Sequence, residues 1–237
     1  MKSIKKTSLL FCLAGLCLLS TAASGQAPDK AAAKKAAADQ EAAYTRAITQ
    51  RADKIVATLN LADAGKATRA RDLIAGQYRL LNEIHTERDA QVKAAKEKAG
   101  AYKAAAEAQV KEIEAKTQAR ISKGHSKYLA RLAAVLSPAQ VDQVKDGMTY
   151  GVVPITYKGY LEMLPDLTEA QKTQIMAWLV EARELAMDAG SSEKKHATFG
   201  KYKGKINNYL SAAGYNMNQA SKDWQKRIKA EQAAKVK

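Results

Sequence analysis

The chain has 237 residues, with Lys+Arg 39 against Asp+Glu 24, a formal charge of +15 and two cysteines. Both cysteines, Cys12 and Cys17, fall in an N-terminal stretch expected to be removed. The remainder is then expected to hold no disulfide, thiolate metal site or cysteine nucleophile, and its length is enough for a helical core held by packing alone.

The first residues read as a signal peptide over 1–25. A basic Met1–Lys6 precedes an apolar run from Leu9 to Leu19, too short to span a bilayer comfortably, and then small residues from Ser20 to Gln26. Cleavage after Gly25 or after Ala23 fits equally. Neither cysteine follows a small residue, so a lipoprotein acceptor is not expected. The expectation is an exported, soluble protein of the periplasm or outer envelope, with no transmembrane segment after processing. From Glu193 onward the chain carries 11 Lys/Arg against 3 acidic residues, so positive charge gathers at the C-terminal end. Outside the cytoplasm that field suits uronic-acid glycans, lipopolysaccharide phosphates or anionic lipid; nucleic acid is not expected. The competing explanation is that surface lysine simply keeps a helical protein in solution.

Residues 26–43 read as a flexible Lys/Ala-rich linker or the first turns of a helix. Residues 44–136 read as a long helical hairpin. Ile48, Ile55, Val56 and Leu59 recur at helical spacing, Asn60–Gly65 interrupts, and Leu73, Ile74, Leu80, Leu81, Ile84 and Val92 resume the pattern. It weakens around Gly100 and returns with Val110, Ile113, Ile121, Tyr128, Leu129 and Leu132. Two antiparallel helices joined near Gly100 are expected, with one continuous rod as the alternative. Residues 137–237 read as a C-terminal helical domain. Ser137 with Gln140, and Thr168 with Gln171, have capping-box spacing; Leu61–Gly65 resembles a decayed copy lacking both polar partners. Between them, Asp146–Tyr160 crowds glycines, Pro154 and three tyrosines, so an irregular Gly/Tyr-rich connection is expected there. A helix from Thr168 should end at Gly190-Ser-Ser. Another follows from Glu193 to Ala212, stopped by Gly214, and a basic helix anchored on Trp224 and Ile228 closes the chain. No stretch alternates as a strand, so the fold class is all-α.

A sugar site needs flat aromatic faces and planar or charged hydrogen-bonding groups. Tyr150, Tyr157 and Tyr160 offer faces and Lys158 a donor. The helix after Gly200 offers Lys201, Tyr202, Lys203, Asn207, Asn208 and Tyr209, with His196 nearby and a bare strip at Gly200 and Gly204. Against this, Tyr202, Ile206 and Tyr209 at i, i+4, i+7 also suit a core, as does Trp178. Catalysis is less favoured. His85, His125 and His196 lack metal-ligand spacing, and the pair Glu184 and Asp188 at i, i+4 suits a solvated or lysine-bridged role. No cofactor, metal or catalytic residue is assigned.

The stretches Asp146–Tyr160, Ala177–Gly190 and Gly200–Leu210 together resemble the exported Bacteroidetes proteins catalogued as domain of unknown function 3826. The resemblance covers most of the mature chain and implies export, sugar binding and a place among envelope proteins of polysaccharide use. It carries no catalytic residues over. The expected function is non-enzymatic binding of a glycan, plausibly an acidic polysaccharide, in a hollow between the tyrosine-rich bend and the Lys201–Tyr209 helix. The alternative is a Spy-like periplasmic chaperone or envelope scaffold using the hairpin surface. A polysaccharide-active enzyme ranks third.

Overall fold

A computed structural model describes residues 30–99 and 102–235. The signal-peptide reading and the Gly100 junction lie outside these residues. The contacts divide the chain into a unit of residues 1–42, described from Lys30 onward as exposed helix, and a unit of residues 43–237. Among the described residues there are eight helices and no strand: α1 (Lys30–Ala57), α2 (Ala64–Ala99), α3 (Lys103–Ala133), α4 (Pro138–Met148), α5 (Val152–Met163), α6 (Glu169–Met187), α7 (Ser192–Ala212) and α8 (Met217–Lys235). The protein is all-α. The Lys/Ala-rich stretch, expected as a linker or the first turns of a helix, is helical from Lys30, in keeping with the high helix propensity of alanine and lysine.

Helices α2 and α3 run antiparallel. Glu87 pairs with Arg120 at 2.6 Å, and Leu80 lies against Gly124. Leu81, Ile84 and Ile121 are buried between them. A first core gathers Ala52 and Ile55 of α1, Ile74 of α2, Tyr128 and Leu132 of α3, and Val144 and Met148 of α4. A second gathers Val153 and Tyr160 of α5, Ile175, Leu179 and Ala182 of α6, and Phe199, Ile206 and Leu210 of α7. At its C-terminal end α6 delivers Met187 to the first core, so this helix links the two.

Both capping boxes form. Gln140 N–H donates to Ser137 Oγ (3.3 Å) and Gln171 N–H to Thr168 Oγ1 (3.2 Å), while each glutamine carbonyl accepts from the cap's own N–H (3.1 and 2.9 Å). The Leu61–Gly65 junction is not a decayed copy. Its register is shifted by one residue, and Asp63 Oδ1 accepts from Lys66 N–H at 3.0 Å. That bond holds the Asp63 carboxyl below its usual range.

The central Gly/Tyr stretch corrects the expectation of a long irregular connection. Only Thr149–Gly151 leaves helical geometry, and Val152 starts α5. Pro154 falls within the first turn, where a missing N–H leaves no helical bond unmade. The helix from Thr168 ends as expected just before Gly190, at Met187 with Asp188 as its C-cap, but Gly190 is not in the left-handed conformation; a Cβ on it would lie 2.7 Å from His85 Cγ. Its bareness serves close approach, not a turn.

Ser137→Ala and Thr168→Ala each remove a cap, so each variant should lose about 1 kcal/mol in urea unfolding. An unchanged midpoint for both would show that the caps add nothing to the packed helices.

Candidate functional site

The site forms where the chain passes from the first core to the second. At the end of α4, Gly151 N–H donates to the Asp146 carbonyl (2.8 Å) and Tyr150 N–H to the Gly147 carbonyl (3.4 Å). These are the two bonds of a Schellman turn, whose left-handed residue is usually glycine. Here it is Tyr150, with φ 61, followed by Gly151 with φ 64. A side chain in this conformation costs about 1–2 kcal/mol. The turn thereby presents a phenol ring that is 50 % exposed and stacked on the His196 imidazole, with centroids 5.3 Å apart and planes 13° from parallel.

Tyr150 stands over a cavity of about 540 Å³, within the 300–1,000 Å³ typical of small-molecule sites. Helix α1 contributes Tyr44, Arg51 and Lys54 around Ile48 and Ile55; α2 contributes Tyr78, Leu81 and Asn82; the α6–α7 turn contributes Ala189–Ser192; Lys195 of α7 completes the wall. Two glycines let the walls approach. A Cβ on Gly147 would sit 2.8 Å from Ile55 Cγ1, and Gly190 lies against the His85 ring.

Lys195 is only 5 % exposed. Its ammonium donates to the Met148 carbonyl at 2.8 Å and lies 5.4 Å from the Tyr78 ring and 5.9 Å from the Tyr150 ring. Among the described residues no carboxylate pairs with Lys195, Arg51 or Lys54, and none lines the cavity. Burial, reinforced by the nearby Arg51 guanidinium, pulls the Lys195 ammonium down to about 8. Burial also pushes the Tyr78 hydroxyl up to about 12, so that phenol stays neutral. The N-terminus of α7, capped by Ser191, adds its positive end to the same wall.

Asp142, Asp146 and Glu184 lie elsewhere, in a seam between α4 and α6. Arg183, with a side chain 7 % exposed, donates to Asp142 (2.7 Å) and Asp146 (2.9 Å), and Lys145 pairs with Glu184 at 3.0 Å. His125 Nδ1 lies 2.9 Å from Asp188 Oδ2, and His85 Nε2 lies 2.8 Å from the Asp188 carbonyl oxygen. The two histidines thus tie the hairpin to the end of α6. His125 is in an ion pair, which differs from the packing role its apolar helical face suggests. Among the described residues no group of three or more His, Cys, Asp or Glu is arranged to hold a metal ion.

The residues singled out from sequence separate into two groups. Tyr150 lines the cavity and His196 stacks on it. Tyr160 is buried in the second core, its hydroxyl donating to Asn207 Oδ1 at 2.7 Å. Tyr157, Tyr202 and Tyr209 pack half-buried against that core, and Tyr209 meets Trp178 edge-on at 5.2 Å. Lys158 points outward toward Glu162 at 3.6 Å, and Lys201, Lys203 and Asn208 are exposed. Nothing lies within 4 Å of a Cβ built on Gly200 or Gly204, so that strip faces solvent. Thus α5 meets α7 at a direct Tyr160–Asn207 contact, not across the expected hollow.

Tyr44, Arg51, Lys54, Tyr78, Asn82 and Lys195 escape the sequence reading. A signal was present: Arg51 interrupts the helical stripe Tyr44, Ile48, Ile55, and Lys195 heads the stripe Phe199, Tyr202, Ile206. A cation on an apolar helical stripe, buried in the case of Lys195, is the mark of a charge kept for something other than packing.

An all-α protein with an aromatic, cation-lined cavity at the meeting of two cores is thus defined by the fold. Residues 45–230 match the family model described as protein of unknown function (DUF3826), and the chain belongs to that family. A comparison with curated proteins returns no match. No helix among the described residues is long and apolar enough to cross a membrane.

Two outcomes follow. Tyr150→Gly relieves the left-handed strain, so it should unfold no earlier than the parent and gain up to about 1 kcal/mol; a loss larger than that would mean the ring's contacts dominate the turn. Asp188 holds His125 above its usual value. Raised in the folded state, this group adds stability that is complete below about pH 6.5 and fades as pH rises through the folded value. Urea unfolding of the parent and His125→Gln should therefore show a difference that is largest near pH 6 and shrinks toward pH 9. A difference that grows with pH would contradict the pairing.

Proposed function

We propose that this protein is an exported, non-enzymatic glycan-binding protein of the cell envelope, and that its binding site is the cavity beneath Tyr150. The observation that carries the proposal is the convergence of Tyr44, Tyr78 and Tyr150 on one open hollow, with Tyr150 held there in a strained conformation. Flat rings supply the C–H stacking surface a sugar needs, and Asn82, Ser192 and the rim cations supply hydrogen-bonding groups for its hydroxyls. Strain that a glycine would remove, kept at an exposed ring, fits a side chain retained for contact with a ligand.

The location outside the cytoplasm draws on the basic and apolar N-terminal sequence. Binding without turnover is favoured because the carboxylate pair at i, i+4 is occupied: Glu184 by Lys145 and Arg183, Asp188 by His125. They do not converge on the cavity as a free acid–base pair would.

Calorimetric titration against acidic and neutral polysaccharides tests this. Tyr150→Ala should weaken binding about 3- to 10-fold, the equivalent of one aromatic stack, whereas Tyr160→Phe, in the second core, should bind as the parent does. Absence of binding across the whole panel would overturn the proposal, as would equal loss in the two variants.

A further inference from the structure

We infer that the sugar taken by this cavity is a uronate, with its carboxylate seated against Lys195 and Arg51. The inference rests on the glycan reading above and narrows it to one chemical class.

Lys195 and Arg51 converge on the same hollow, close enough that Arg51 disfavours the charged form of the lysine. Lys54 and the N-terminus of α7 add positive field at the same wall. Two like charges drawn together without a carboxylate between them oppose folding, and burying one of them adds a desolvation cost. The same chain has acids to spare a few residues away, yet Asp142, Asp146 and Glu184 all turn into the Arg183 seam. Asp188, just past the end of α6, is committed to His125, and Glu193, two residues before Lys195, is exposed and does not line the cavity. The cavity is therefore lined by cations without a carboxylate, and an arriving anion supplies the negative charge.

The kind of anion follows from the wall. The wall holds one buried ammonium that already gives one proton to the Met148 carbonyl, which leaves two donors for a ligand. A singly charged, planar carboxylate matches those donors and the flat Arg51 fork. Beside the cations stand Tyr78 and Tyr150, whose rings lie within 6 Å of the ammonium and so place a sugar ring next to its carboxylate.

Binding of an anion here favours the charged lysine. The groups facing Lys195 are Arg51 of α1, Tyr78 of α2, Tyr150 of the α4–α5 turn and, more weakly, Asp188 at the C-cap of α6. Proton uptake on binding, and affinity that falls as pH rises above about 8, are then expected.

The test titrates the full-length protein with oligogalacturonate, oligoglucuronate and oligomannuronate, each beside its carboxyl-reduced neutral counterpart and beside a sulfated neutral oligosaccharide. At least one uronate should bind, with its reduced form weaker by about tenfold or more. Lys195→Met and Arg51→Gln should each weaken the uronate by a larger factor than the reduced form, so that the preference for the uronate shrinks. Arg51 is exposed, so its variant folds even if the core variant does not. Equal binding of a uronate and its reduced form overturns the uronate assignment and leaves glycan binding intact. Preference for the sulfated sugar overturns it too. Failure of every sugar overturns both.

Discussion

One hydrogen bond organises the functional half of this molecule: the Lys195 ammonium gives a proton to the carbonyl of Met148 at 2.8 Å. Met148 is the last residue of α4 and belongs to the first core; Lys195 lies in the first turns of α7, whose Phe199 belongs to the second. The bond thus pins the start of one helix to the end of another, across the point where the chain changes cores. A buried lysine is an expensive way to make such a tie, since a neutral donor would avoid the desolvation. Its retention makes sense if the charge itself is used.

Charge segregation makes that use available. Helix α6 turns Arg183 and Glu184 toward α4 and gives Asp188 to His125, so the acids are neutralised within a seam of matched pairs. The cations of α1 and α7 remain unmatched at the cavity. Exposed ion pairs contribute little to stability, but a buried guanidinium with two carboxylates fixes how α4 meets α6. The seam therefore sets the position of the α4 terminus, and with it the Tyr150 turn and the hollow beneath it. Stacking of Tyr150 on His196 closes the arrangement from the outside.

Much of the fold was legible in the sequence. Helical periodicity marked the stripes that became the two cores, and the spacing of Ser137 to Gln140 and Thr168 to Gln171 marked helix starts through a local bond that spans three residues. Gly214 stopped α7 in a left-handed conformation, as its position suggested. The candidate site was legible only where it was local. Tyr150 and His196 were singled out, but Tyr157 and Tyr160 carry the same composition and lie on the side of α5 facing the second core. Composition alone cannot tell a ring facing a core from a ring facing a hollow, and one helical turn separates the two. Tyr44, Arg51 and Tyr78 lie 70 or more residues from Tyr150 in the chain; only the packing of α1 and α2 brings them there. Gly190 marked the end of α6 correctly, but glycine has two uses, left-handed turns and close contacts, and only the position of His85 decides between them.

The charge of Lys195 is the centre of this account, and its titration can be followed directly by NMR of the side-chain nitrogen in isotopically labelled protein. The account predicts an ammonium that titrates near 8 in the free protein and moves upward, toward an ordinary lysine, when the cavity is saturated with an acidic oligosaccharide. A lysine already at its ordinary value in the free protein, or one that ignores the ligand, would contradict it.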